Sequence, residues 1–175
     1  MREVLVDTNV LVSFLTDRNK DQQEKAAALL LGAREREHSV IIHSMAVTEA
    51  IYVLRNLYKI DPQQIAASLR ELLALPGVVS VSDLSWSLVF ERWPDLIPNL
   101  GDAILAAVAA QEHCDAVATF DGNLRKKLAK QGSPFYWSDH LKRCQGPAEE
   151  VPRLRRCQGT IEAEEVPGNH RWNHR

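Results

Sequence analysis

Four short apolar runs, at residues 4–6, 40–42, 78–81 and 116–120, are each separated from the next by one or more helix-length stretches. Runs this short read as buried strands, and their alternation with helices predicts an α/β fold with a mostly parallel sheet. The intervening helices carry their own signals. Residues 22–37 place Ala26, Leu29, Leu30 and Ala33 on one face, as an amphipathic helix does. Ser44 offers an N-cap for a helix running to about Tyr58, and Asp61-Pro62 marks another helix start. That second helix runs until Pro76-Gly77, and residues 84–93 form a short helix ending before Pro94. The Ala-rich stretch 100–113 is apolar almost throughout and should be a helix buried on most sides, and residues 124–130 close the domain. The expectation is three α/β/α layers around a central sheet of four to five strands.

The first run ends in Asp7 and the last in Asp121, while Glu49 lies about a turn into the helix after the second run. Asp102 falls in the first turn of the Ala-rich helix. In a parallel sheet, ligands bind outside the carboxyl ends of strands, which is where these acids are expected to meet. Each alone has a plain structural reading: Asp7 or Asp121-Gly122 in a turn, Asp102 as a favourable charge near a helix N-terminus, Glu49 on a solvated face. Together they repel. A pair of charges about 4 Å apart costs about 4 kcal/mol at an effective dielectric near 20, so a cluster requires protons or cations. With oxygen donors and no Cys/His set, Mg²⁺ or Mn²⁺ is the expected ion. Such an ion can activate a water and stabilise charge on a scissile phosphate.

Composition bears on this chemistry in one respect. A net charge of −2 over 175 residues lacks the basic excess of a duplex-DNA binder, so a bridging cation would have to hold any phosphate. Cys114, Cys144 and Cys157 make no metal-type pair and are odd in number, and no apolar run is long enough to span a bilayer. A cytoplasmic protein with no membrane partner is expected.

The segment Asp7-Thr8-Asn9-Val10-Leu11, then Glu49, then Gly101-Asp102-Ala103-Ile104-Leu105, then Thr119-Phe120-Asp121 resembles the PIN-domain family, whose commonest small members are the toxins of VapBC-type toxin–antitoxin pairs. The resemblance spans about residues 1–140. It implies a metal-dependent endoribonuclease hydrolysing single-stranded or structured RNA, with Asp7, Glu49, Asp102 and Asp121 as catalytic metal ligands. It further implies that Asn9 and Thr119 hold the acids in place. Many members carry another Asp two residues after the fourth acid, where this chain has Asn123. The implied partners are an RNA substrate and an antitoxin that covers the site, and a homodimer is left open.

Arg125 and Lys126, with Arg55, Lys59, Arg92 and Lys127, are candidates to guide RNA or are simply a solvated surface. Trp86, Phe90 and Trp93 recur at helical spacing, as a protein-binding stripe or as core. His43 reads as structural or as a proton-transfer group. Two other functions compete: a phosphohydrolase forming an aspartyl-phosphate on Asp7, and a catalytically silent PIN-like module binding RNA or protein. The first usually has a second Asp two residues on, where Asn9 stands here.

Residues 141–175 form a separate unit in this reading. Arg143-Cys144-Gln145-Gly146 recurs as Arg156-Cys157-Gln158-Gly159, and Ala148-Glu149-Glu150-Val151-Pro152 as Ala163-Glu164-Glu165-Val166-Pro167. Two short copies are too few for a solenoid, and a disordered extension is expected. His170 and His174 have helical metal spacing but lie in this tail.

Overall fold

The computed structural model describes residues 1–130 and 135–137. The duplicated tail, with Cys144, Cys157, His170 and His174, lies outside the described residues. The chain runs β1 (Arg2–Val6), α1 (Thr8–Leu15), α2 (Lys20–Arg34), β2 (His38–His43), α3 (Ser44–Asn56), α4 (Pro62–Leu73), β3 (Val78–Val81), α5 (Trp86–Phe90), α6 (Leu100–Gln111), β4 (Ala116–Ala118) and α7 (Gly122–Lys130). The sheet has the order β3-β2-β1-β4 with every pairing parallel. A parallel bridge from Val117 to Phe135 extends pairing beyond β4 by one position.

Strand side chains alternate between the two faces of a sheet, and the core divides accordingly. Val4, Val6, Val40, Ile42 and Ala118 pack with α1 to α4, whereas Leu5, Ile41 and Val117 pack with α5 to α7. This split makes the three layers. The helix α6 is apolar all round because Ala103 to Ala109 are all buried, and its small side chains permit close approach to the sheet. Gly77 sits at φ 79°, and a Cβ there would meet the Ala33 carbonyl oxygen at 2.2 Å. No other residue fits this turn before β3 without displacing α2.

Three expectations change. A helix, α1, follows Asp7 directly, and the apolar run Val10 to Leu15 that forms it is mostly buried. Ser44 is the first residue of α3 and not its cap. β2 runs to His43, whose extended backbone (φ −79°, ψ 145°) and ring Nδ1, accepting from the Met45 N–H at 3.2 Å, supply the cap. Trp86 and Phe90 are 50% and 59% exposed, so they are not core; Val89 is the residue of α5 that is buried. Trp93 packs against the second core.

Candidate carboxylate site

Because all four strands are parallel, their carboxyl ends share one edge. There the Asp7 N–H donates to the Ala118 carbonyl at 3.0 Å, continuing the β1–β4 ladder and setting Asp7 beside Thr119. The Thr119 hydroxyl donates to Asp7 Oδ2 at 2.5 Å and accepts from Asn9 Nδ2 at 3.0 Å and the Asp121 N–H at 3.1 Å. A hydroxyl has one proton and two acceptor positions, so accepting twice commits its proton to Asp7. Asn9 Nδ2 also donates to Asp7 Oδ2, and its Oδ1 accepts from the Phe120 N–H at 3.0 Å. Thr119 is fully buried. The network leaves the Asp7 carboxylate little freedom to rotate.

The Asp7 carboxyl is raised from 3.8 to about 7. Burial is the first cause; the Thr119 hydrogen bond opposes it, and the charges of Glu49 and Asp102 raise it further. Glu49 and Asp102 each stand near enough to Asp7 for their charges to act on it, and the Asp121 backbone reaches the same network through its N–H to Thr119. The other three acids are held differently. Glu49 is exposed on α3, and its Oε2 accepts from the Thr8 hydroxyl at 2.8 Å. Asp121 Oδ1 accepts from the N–H groups of Asn123 at 2.7 Å and Leu124 at 3.3 Å, so it caps its own helix. Asp102 Oδ2 accepts from Lys127 Nζ at 2.8 Å. Capping of α6 falls to Asn99, whose Oδ1 accepts from the Asp102 N–H at 2.9 Å, which frees the Asp102 carboxylate. With each acid turned to a protein partner, no three His, Cys, Asp or Glu side chains stand in metal-holding geometry among the described residues.

Of the expected supporting residues, Asn9 and Thr119 are in the network, whereas Asn123 is exposed and contributes its backbone N–H. Ser44 offers its carbonyl to the Thr48 hydroxyl at 2.9 Å. His43 is 3% exposed, with Nε2 on the Asp83 carbonyl oxygen as well as Nδ1 on Met45, so both ring nitrogens are structural. The Arg125 guanidinium lies over the Phe135 ring, 4.8 Å from its centroid, and Lys126 is exposed. Thr8 and the Lys127–Asp102 pair are the contacts that sequence reasoning did not single out. Thr8 stands next to the first acid, but nothing in the spacing shows that it reaches Glu49, 41 residues on. Cys114, at the end of α6, is pushed up to about 12, chiefly by burial, and stays a thiol.

A four-stranded parallel sheet with acids gathered at its carboxyl edge defines an α/β protein with a carboxylate site. The chain belongs to the PIN domain family, whose model matches residues 4–129. Solved structures of similar fold include a Mycobacterium tuberculosis toxin, VapC20, which cleaves the sarcin–ricin loop. It is 14% identical, with a TM-score of 0.52, covering 70% of this chain and 93% of that one. Another is VapBC2 from Rickettsia felis, bound to a DNA fragment from its promoter. It is 18% identical, with a TM-score of 0.53, covering 73% of this chain and 92% of that one. No curated protein sequence matches. Among the described residues no helix is long and apolar enough to cross a membrane.

Proposed function

We propose that this chain is a metal-dependent endoribonuclease, the toxin of a toxin–antitoxin pair acting in the cytoplasm. One observation carries the reading: the Asp7 carboxyl is pinned by Asn9 and Thr119 and raised to about 7, chiefly by burial and further by the charges of Glu49 and Asp102. A fold that places two polar side chains to orient a repelled carboxylate does not gain from holding the charge itself. It gains a preorganised ligand. Family membership and the likeness to a sarcin–ricin-loop-cleaving toxin support the same reading.

The donor set fits Mg²⁺ or Mn²⁺, because it consists of oxygen atoms alone and already draws in one cation, the Lys127 ammonium. Asp7, Asp102, Asp121 and Glu49 would hold the ion. When bound, it supplies an activated water and charge stabilisation at a scissile phosphate. The chain's own residues do the rest. Thr119 and Asn9 aim the Asp7 carboxylate, Thr8 steadies Glu49, and the turn at Asp121 keeps that acid at the mouth of β4. Asn123 brings no carboxylate, so the set carries four negative charges rather than five. Lys126 is free to meet the RNA backbone, while Arg125 is engaged with Phe135. The likeness to VapBC2 supports an antitoxin partner.

The aspartyl-phosphate alternative is disfavoured by Asn9, whose amide is wholly occupied in holding Asp7 and its neighbours. The test is cleavage of a structured RNA by the purified chain with Mg²⁺ or Mn²⁺, against chelator and against Asp102→Asn. Metal-dependent cleavage lost in Asp102→Asn is the expected result. Phosphate labelling of Asp7 with the RNA intact, or no metal-dependent cleavage by the wild type, would refute it.

A further inference from the structure

Among the ion pairs of the described residues, Asp102 is the one of the four acids that takes part. The Lys127 ammonium lies 2.8 Å from Asp102 Oδ2, with the two side chains 32% and 18% exposed. The pair joins helices 25 residues apart in sequence, α6 and α7, and α7 is the helix that Asp121 caps. Lys127 thus brings a positive charge to a carboxylate that repels Asp7. We propose that Lys127 is a built-in counter-ion of the acidic site, which a divalent cation must displace to engage Asp102. The inference rests on the metal reading of the site and deepens it.

The physical argument is one of competition. Without an ion, the cluster needs positive charge, and a lysine on a flexible stem provides it at one corner. An ammonium is a compact point charge with three donors, and it is only partly shielded here. A divalent ion brings twice the charge and several ligand positions, so it prevails at the carboxylate, and Lys127 is released toward solvent at the edge of the site. Competition lowers the apparent affinity for the ion by the free energy of the pair being broken. Ion uptake and release of the ammonium are then one event.

A purely positioning role has the opposite sign. Were Lys127 needed to hold Asp102 in a ligating rotamer, removing it would weaken the binding of metal. Isothermal titration of the metal-free protein with Mn²⁺ separates the two. Lys127→Met is expected to bind Mn²⁺ about tenfold tighter than the wild type, a change matching the loss of one partly exposed competing charge. Lys127→Arg, which keeps the charge, should stay near the wild-type value. Unchanged or weakened binding in Lys127→Met would overturn the inference while leaving the metal reading intact. No uptake by either protein would overturn both.

A second measurement uses the unaltered chain and does not depend on the variant folding. Reductive methylation followed by mass spectrometry reads the availability of each lysine. Saturating Mn²⁺ should raise labelling of Lys127 several-fold while Lys126 stays constant. Equal labelling of Lys127 with and without bound metal would show that the pair survives ion binding, and the inference would fail.

Discussion

The two sides of the acidic edge are built on different plans. Around Asp7, every side-chain polar atom of Asn9 and Thr119 is committed, and the contacts that tie Thr119 to Asp7 and Asn9, and Asn9 to Phe120, span more than 100 residues of sequence. Around Glu49 and Asp121, each acid is exposed and held by short-range or single contacts: one hydroxyl for Glu49, its own helix N-terminus for Asp121. In the metal reading proposed above, the rigid side sets where an ion sits and the loose side turns to meet it. A buried site held on all sides would have to unfold to accept an ion. A site loose throughout would lose the ordering entropy on every binding event.

The largest effect should come from the centre of the rigid side. If Asp7 is the proposed metal ligand, Asp7→Asn is expected to lower RNA cleavage by about a thousandfold or more, because a charge that would fix the ion is gone. Its metal-free melting temperature at pH 8 should hold or rise, since a repelled buried charge has been removed. A folded Asp7→Asn protein that cleaves normally would break the comparison at its base.

Thr119→Val keeps the shape and deletes the hydroxyl that joins Asp7, Asn9 and Asp121. A loss of about 10- to 100-fold in metal affinity or activity is expected, as for other groups that orient ligands. A stability loss of about 1–3 kcal/mol should accompany it, because buried partners are left unpaired. Titration and denaturant melts read the two separately.

The pH dependence follows from the Asp7 carboxyl at about 7. Binding an ion there must expel a proton, so Mn²⁺ affinity should fall by up to about tenfold per pH unit below 7. In the metal-free protein the sign is fixed by linkage. A folded value above the unfolded one gives stability that is full below pH 3.8 and is lost as pH rises through 7. The melting temperature should therefore decline across that window, and Asp7→Asn should flatten this component of the decline.

On the loose side, Thr8→Val should cost less than about tenfold in activity, because Glu49 is exposed and can turn without it. A loss equal to that of Thr119→Val would show that the two sides are equally constrained. The smallest effect is expected from removing residues 141–175, since the family match ends at residue 129. Cleavage and melting temperature should be unchanged, and a truncated chain that fails to fold would refute the separation.

The alternation of strand and helix, and the order of the acids, were legible because each rests on local pattern: apolar runs, and carboxylates at strand ends. Contacts between distant segments were not. Spacing says nothing about Lys127 reaching Asp102, since a basic residue on an exposed-looking helix has no visible partner in the sequence. Ser44 looked like a cap because hydroxyls usually cap. The extended backbone at His43, which moved the boundary back by one residue, appears only when the strand is built. The aromatic spacing of α5 was visible, but the small Val89 between the aromatics turned inward and left Trp86 and Phe90 outside.

The hydrogen bond from Thr119 to Asp7 closes a loop of 112 residues, and that separation is also an interval of time. A ribosome adds Thr119 roughly 6 to 22 seconds after Asp7 at synthesis rates of about 5–20 residues per second. Until then β1 has no β4 beside it, and the carboxylate that organises the site is unaimed. An emerging chain therefore cannot close the Thr119–Asp7 contact for as long as the two residues remain on opposite sides of the exit tunnel.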